Sequence, residues 1–233
     1  MDTQVIIDRL QRFLLKLDTS VFEEMRDDAN ATIPALIIAA VSFLLFGLGG
    51  WLWWWVQGYA NLAVGGQIPD KTKIFLESWL LGSIFAFALW LAWIGIAYVV
   101  LVNLFHYSAD LMRMIRSCSL ATLPLIIGLL LFIPGINFAM GLAAVALFFL
   151  LMDIGIQVSL DATPGHVIVS TFAGFLVFAI ILSVLVTKSD GLSPNVFLFR
   201  LPATAAADAA SNTVSVPRTT IPRNFQIPTV PPR

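Results

Sequence analysis

Hydrophobic residues fill five long runs in the middle of this chain, and within each run nearly every position is apolar. The runs cover about residues 33–56, 75–104, 120–133, 138–160 and 167–187. A helix needs ~20 residues to cross a bilayer, so the third run is short unless it begins near Cys118. A membrane β-barrel would alternate apolar and polar positions, and these runs do not. The pattern predicts an all-α fold, a polytopic membrane helix bundle of about five transmembrane helices.

Within the runs, a proline and pairs of small residues predict how the helices bend and pack. Pro124 lies inside the third run and is expected to kink that helix, because proline lacks the backbone N–H. Ala139 and Ala143, and Ser170 and Gly174, have the spacing that lets two membrane helices approach closely. We expect packing within the chain at these pairs, ahead of dimerisation.

The first 31 residues have a different pattern, that of an amphipathic arm. On a helical wheel, apolar side chains occupy an arc of ~120° and polar ones the opposite side. The apolar set is Ile6, Ile7, Leu10, Phe13, Leu14 and Leu17, and the cations are Arg9, Arg12 and Lys16. Such a helix can lie in the headgroup plane with its cations near anionic lipid. The alternative is packing against the protein's own loops or a partner. In a following short helix, Ser20 and Glu23 have capping-box spacing.

Composition supports this reading and sets the domain limits. The chain is 59% hydrophobic and 12% charged, whereas soluble domains have about 25% charged residues. The net charge of −1 offers no basic face for nucleic acid. We therefore predict an N-terminal arm at 1–31, a transmembrane domain at 32–188 and a Pro/Ala-rich tail at 189–233. The tail is expected to be disordered unless it binds a partner subunit as a strap.

No pattern in the sequence points to catalysis, a metal or a cofactor. His106 and His166 are isolated from each other, and the sequence has no nucleophile motif or phosphate-binding loop. Asp153 stands out because a charge inside a membrane span is costly. The sequence predicts either a structural pair with His106, Arg113 or His166 or solvation near the interface, and it leaves open a proton path.

A second set of charges lies between the second and third runs. Asp110, Arg113 and Arg116 are three residues apart, so they share a helix face and could pair with one another. They form either a solvated face or a docking patch for a cytoplasmic partner.

Cations and tryptophans give the orientation. With five spans, six Lys or Arg residues near helix ends share a side with the N-terminus, against four on the other side. This favours a cytoplasmic N-terminus and an extracytoplasmic C-terminus. Trp51, Trp53, Trp54, Trp55 and Trp79 are expected to form a belt at one interface, with a pigment or substrate box as the alternative.

Three segments resemble the Yip (Ypt-interacting protein) domain family of five-span membrane proteins, in its prokaryotic type. They are the arm from Arg12 to Asp28, Ser119-Leu-Ala-Thr-Leu-Pro124, and Phe132-Ile-Pro-Gly-Ile136. The resemblance implies five spans, an inward N-terminus and a prokaryotic cell membrane. Eukaryotic members are tied to small GTPases and vesicle traffic, a role that we do not carry over to this short arm.

The sequence therefore favours a non-enzymatic membrane protein that acts by association, as an accessory subunit or a membrane-organising factor. Its expected partners are membrane lipids and other membrane-protein subunits, and not nucleic acid. The first alternative is a small transporter or channel that uses Asp153, with Gln157 and Ser42 as further polar candidates. The second is a pigment- or quinone-binding subunit, suggested by the seven tryptophans.

Overall fold

A computed structural model describes residues 3–16, 18–63, 72, 75–108 and 110–188, and these residues contain helices and no strand. The predicted all-α fold is confirmed, while the predicted tail at 189–233 lies outside the described residues. In chain order the elements are α1 (Thr3–Lys16), α2 (Ser20–Asp27), a 3-10 turn (Ala29–Ala31), α3 (Thr32–Ala63), a π-helical segment (Phe75–Leu81), α4 (Gly82–Asn103), α5 (Leu111–Leu120), a 3-10 helix (Leu123–Phe132), α6 (Asn137–Leu160) and α7 (Pro164–Lys188).

Four of these helices are long and apolar enough to cross a membrane. The candidate spans are Ala29–Trp53, Trp79–Asn103, Asn137–Leu160 and Pro164–Ile181. A fifth candidate is the pair formed by α5 and the 3-10 helix, which are bent by 42° relative to each other. By length alone this pair is either a broken span or a re-entrant loop.

Contacts along α3 favour a broken span. Near the start of α3, Thr32 Oγ1 accepts a hydrogen bond from Arg116 of α5 at 3.1 Å. Further along α3, Gly49 packs against the backbone of Gly128 in the 3-10 helix. Thr32 and Gly49 lie ~25 Å apart along a helix that rises ~1.5 Å per residue. Since the hydrocarbon core is ~30 Å thick, we infer that the bent pair crosses most of it beside α3.

With the bent pair counted as one crossing segment, the described fold has five segments that could cross a membrane, and the arm lies at one end of the bundle. We call the end where α3 begins the arm-side end. The ends of α4 and α6 and the starts of α5 and α7 also lie there, since Tyr107 contacts Thr163 and Arg26 contacts Val158. The C-terminal end of α7 lies at the opposite end.

The bent span corrects the prediction of one helix kinked at Pro124. The bend falls at Ala121 and Thr122, and Pro124 opens the 3-10 helix, where its missing N–H has little cost. A 3-10 helix rises ~2.0 Å per residue against ~1.5 Å for an α-helix. Ten residues from Leu123 to Phe132 therefore reach ~20 Å instead of ~15 Å. This extra length lets a short apolar run reach across the bilayer.

Aromatic rings fill the centre of the bundle. Trp90 and Trp93 of α4 are fully buried, at 0% and 1% exposure. The Trp93 ring lies 5.6–5.7 Å, centroid to centroid, from four phenylalanine rings of α6 and α7. These rings are Phe148, Phe149, Phe175 and Phe178. The indole N–H of Trp93 donates to the Thr171 carbonyl at 3.0 Å, so its polar atom is satisfied inside the core.

Small residues allow the helices to approach this closely. A Cβ on Gly174 of α7 would collide with the Trp93 ring and backbone, so the predicted small-residue pair of α7 does pack within the chain. Ser170, its neighbour one turn earlier, is fully buried. The corresponding pair on α6 behaves differently, because Ala139 is exposed and Ala143 only half-buried.

The outer surface of the bundle is apolar, and small hydroxyl side chains lie inside. Exposed apolar residues recur every three or four positions along α3, α6 and α7. They include Ile33, Ile37, Val41, Phe138, Leu142, Leu150, Phe172, Leu176, Ile180 and Val184. Buried Ser42 and Ser170 donate instead to backbone carbonyls of their own helices, at 2.9 and 2.8 Å. Lipid suits such an exterior, and the fold fits a multi-pass membrane protein.

Adding a methyl group at Gly49 tests the inferred crossing of α3 and the bent span. We expect Gly49→Ala to lower the free energy of unfolding by about 1–3 kcal/mol, because the new Cβ would meet the Gly128 carbonyl. Thermal unfolding in detergent measures the change. Gly95→Ala is the matched control, since no atom lies within 4 Å of its added Cβ. Equal melting temperatures for the two variants would contradict the close crossing.

Candidate functional site

The candidate site lies at the arm-side end, where α1 and α2 dock on the bundle. Phe13 of α1 is 4% exposed. Its ring meets Phe22 of α2 edge-on, at a centroid distance of 5.5 Å. The cluster around them also contains Val21, Met25, Ala31, Ala35, Leu120 and Leu123. Residues of α3, α5 and the 3-10 helix thus form the apolar seat of the arm.

Ion pairs lock α1 onto α2 above this seat. Arg9 Nη1 donates to Asp28 Oδ2 at 2.8 Å, and Arg9 Nε to Glu24 Oε2 at 3.3 Å. Arg12 Nη2 donates to both oxygens of Glu24 at 2.6 Å. The hydrogen bond from Arg12 lowers the pKa of Glu24, and the one from Arg9 lowers the pKa of Asp28. We call these four residues the arm clamp.

The arm clamp corrects the sequence prediction for the cations of α1. Arg9 and Arg12 were expected to face lipid headgroups, but their guanidinium groups bind carboxylates of α2. Arg9, Arg12 and Phe13 instead pack against the protein itself, which was the alternative prediction. Lys16, the third cation of the predicted lipid-facing set, is exposed.

One apolar edge of α1 remains uncovered beside the clamp. Ile7 is 41% exposed, Leu14 56% and Leu15 81%. Ile7 and Leu14 lie seven residues apart, two helical turns, and so project from the same side of α1. This edge and Lys16 form the part of the arm that is free to contact lipid or a partner.

The start of α2 also differs from the prediction. Ser20 and Glu23 do not form the capping box. The Asp18 carboxylate accepts from both the Ser20 backbone N–H and the Ser20 hydroxyl, at 3.0 and 2.7 Å. These hydrogen bonds lower the pKa of Asp18. Asp18, two residues before Ser20, thus takes the role that was predicted for Glu23.

A second set of hydrogen bonds ties the end of α2 to the bundle. Arg116 of α5 is 6% exposed, and it donates through Nη2 and Nε to the Arg26 carbonyl at 2.8 and 3.1 Å. The Arg26 side chain reaches α6, where Nη1 donates to the Val158 carbonyl at 2.7 Å and to Asp161 Oδ1 at 3.3 Å. The Ser117 hydroxyl donates to the Phe22 carbonyl at 3.2 Å.

These contacts break up the predicted docking patch of Asp110, Arg113 and Arg116. Asp110 caps α5 by accepting from the Met112 N–H at 2.9 Å. Arg113 is exposed, whereas Arg116 is buried in the hydrogen bonds to Arg26 and Thr32. The three residues therefore do not form one exposed surface.

Asp153 of α6 does not pair with any of its predicted partners. His166 stacks on Phe105 at a centroid distance of 4.0 Å, and its Nδ1 lies 3.1 Å from the Tyr107 hydroxyl. His106 is exposed with a left-handed φ of +59°, and Arg113 is exposed on α5. Among the described residues, none of these three forms an ion pair with the Asp153 carboxylate.

The Asp153 carboxylate instead lies beside α7. Its Oδ1 atom is buried and makes no hydrogen bond within 3.5 Å, and the same holds for Thr171 Oγ1. The Thr171 hydroxyl is nevertheless the hydrogen-bonding neighbour of the Asp153 carboxylate, at a geometry outside those limits. The structure thus leaves two polar atoms unsatisfied at the boundary of α6 and α7.

The tryptophans divide between the far end of the bundle and its core. Trp51 stacks on Trp79 with ring centroids 6.1 Å apart, and Trp79 Nε1 donates to the Leu44 carbonyl at 2.9 Å. Sequence reasoning placed Trp51 and Trp79 at an interface but did not find the core roles of Trp90 and Trp93. Their position in the middle of the second run was the available signal.

Neither the arrangement of possible metal ligands nor the comparison with known proteins identifies a further site. No group of three or more His, Cys, Asp or Glu side chains within the described residues is arranged to hold a metal ion. No protein-family model, curated protein or solved structure matches the chain.

Truncating Phe13 tests whether the aromatic seat holds the arm. Loss of a buried phenylalanine costs about 3–5 kcal/mol, so we expect Phe13→Ala to release α1. Trypsin cleavage after Arg9 and Arg12 would then become at least about tenfold faster. Leu15→Ala is the matched control, because Leu15 is 81% exposed. Equal cleavage rates for the two variants would show that Phe13 does not hold the arm.

The arm clamp also predicts a loss of stability in acid. Folding lowers the pKa values of Glu24 and Asp28 below their ordinary values of 4.5 and 3.8. Their contribution is therefore complete above about pH 5.5 and is lost as the pH falls through 4.5 and below. Thermal unfolding from pH 7 to 3.5 measures it. The double variant Glu24→Gln/Asp28→Asn should start lower and lose less over this range. Parallel curves would contradict the role of these carboxylates.

Proposed function

We propose that this chain is a non-enzymatic integral membrane protein that acts by association, as an accessory subunit of a membrane complex or a membrane-organising factor. One observation carries the proposal. The ion pairs of the described chain hold an amphipathic arm against the end of the bundle. A surface that is held in place so firmly suits contact with lipid or another protein.

The exposed edge of α1 supports a lipid partner. Ile7, Leu14 and Leu15 are exposed at the end of a bundle whose sides are apolar. A helix at that level can insert such an edge among the headgroups and the upper acyl chains, and a cation such as Lys16 can approach anionic lipid. The arm would then occupy area in one leaflet only, which is the action of a membrane-organising factor.

The family resemblance and the topology support the remaining parts of the proposal. The five crossing segments and the N-terminal arm are those expected for a prokaryotic-type Yip-domain protein. We propose that the arm-side end faces the cytoplasm of a prokaryotic cell and that the end of α7 faces outward. The exposed cations Lys16 and Arg113 at the arm-side end favour this orientation.

A transporter that uses Asp153 is the second candidate, and the unsatisfied Asp153 and Thr171 atoms favour it. The other polar candidates do not extend a path from them. Ser42 of α3 donates to its own helix at the Ile38 carbonyl. Gln157 is exposed on the outside of α6. A pigment site among the tryptophans has less support, because Trp93 packs directly against four phenylalanine rings.

Purification from native membranes in mild detergent tests the proposal. We expect other membrane proteins to co-migrate with the chain in a fixed ratio, as quantified by mass spectrometry of the size-exclusion peak. A chain that purifies alone and stays folded would contradict the accessory role. In that case, Asp153-dependent flux in vesicles becomes the next measurement.

A further inference from the structure

The outward face of α6 carries polar residues where lipid-facing helices normally have none. Ala139, Ala146 and Leu150 are exposed along this face, as expected beside lipid. Gln157, further towards the arm-side end, is also exposed. Asp153 lies between Leu150 and Gln157 and is half-buried at the boundary with α7.

This polar site lies inside the apolar layer. Asp153 precedes the end of α6 at Leu160 by about two turns, or ~10 Å along the helix axis. Ionisable side chains at such a depth are costly, and they usually pair or mark a functional site.

Nearby groups of the chain do not satisfy the site. Asp153 Oδ1 and Thr171 Oγ1 are buried without hydrogen-bond partners, and the Thr171 residue is 0% exposed. The indole N–H of Trp93 donates to the Thr171 carbonyl and not to the Thr171 hydroxyl. Asp153 as a residue is only half-buried, so a cation that approached along this face would neutralise its carboxylate.

We infer that the face of α6 beside α7 binds a membrane-spanning helix of a different protein, which places a Lys or Arg side chain against Asp153. This inference rests on the proposed function and names the surface and the chemistry of the partner. Ala139, Ala143 and Ala146 on the same face let the partner backbone approach closely.

Among the described residues, the spanning segments of a second copy offer no cation at this depth. The sequences of α3, α4, α6 and the 3-10 helix contain no Lys or Arg, and in α7 the one cation, Lys188, lies at the opposite end. Arg116 of α5 is held by Arg26 and Thr32. Arg113 lies in the first turn of α5, nearer the membrane surface than Asp153.

Site-directed photocrosslinking in native membranes tests this inference. A photoreactive amino acid is placed at Leu150 or Gln157, with Ile37 of α3 as a control position that is 56% exposed on another helix. We expect crosslinks from the two α6 positions to a spanning helix that contains Lys or Arg, and none to that helix from Ile37. Asp153→Asn should lower the crosslinking yield about tenfold, the effect of losing a polar contact of ~1–2 kcal/mol between membrane helices.

Glu23→Gln is the matched charge control, since Glu23 is an exposed acid of α2 outside the clamp. It should leave the yield unchanged, and size-exclusion profiles check that both variants fold. Crosslinks to a second copy, to a helix without Lys or Arg, or with a yield unchanged in Asp153→Asn would overturn the docking site. If a complex still co-purifies, the proposed function stands without this site. If no partner co-purifies with the native chain, both proposals fail.

Discussion

The packing of the arm-side end depends on the hydrogen bonds of the buried Arg116 guanidinium group. This group lies, 6% exposed, where the arm, the first span and the bent span meet. A buried cation is costly unless acceptors surround it, and here the Arg26 carbonyl and Thr32 Oγ1 supply them. These bonds direct the chain from α2 into α3. They also position Arg26 so that its side chain reaches α6, and three parts of the fold are joined at one point.

The bundle below this junction is held by shape more than by polar contacts. Gly49 lets α3 meet the bent span at backbone distance, and Gly174 lets α7 meet Trp93. Helices in lipid gain little from burying apolar surface against each other, because lipid tails are equally apolar. Close packing around small residues and a central cluster of aromatic rings supplies the attraction instead.

The charged residues of the arm clamp and the carboxylate of Asp153 suggest different roles. The charged groups of the arm clamp pair with one another and hold α1 in one orientation. The edge formed by Ile7 and Leu14 is therefore exposed. Asp153 forms no ion pair among the described residues and lies half-buried at the boundary with α7. One feature suits contact with lipid at the membrane surface, and the other suits contact with a helix inside the membrane. Both features fit the proposal that the protein acts by association.

The all-α fold, the arm and the approximate limits of the spans could be predicted from the amino-acid sequence. These follow from hydrophobic runs and helical periodicity, which depend on residues close in the chain. The pairing of Arg9 and Arg12 with Glu24 and Asp28 arises from the packing of the helices. The same packing buries Arg116, and it leaves Asp153 without an ion pair to His106 or His166 among the described residues. Such pairings depend on how helices distant in the chain are rotated and stacked, and the pattern of a single helix does not contain that information.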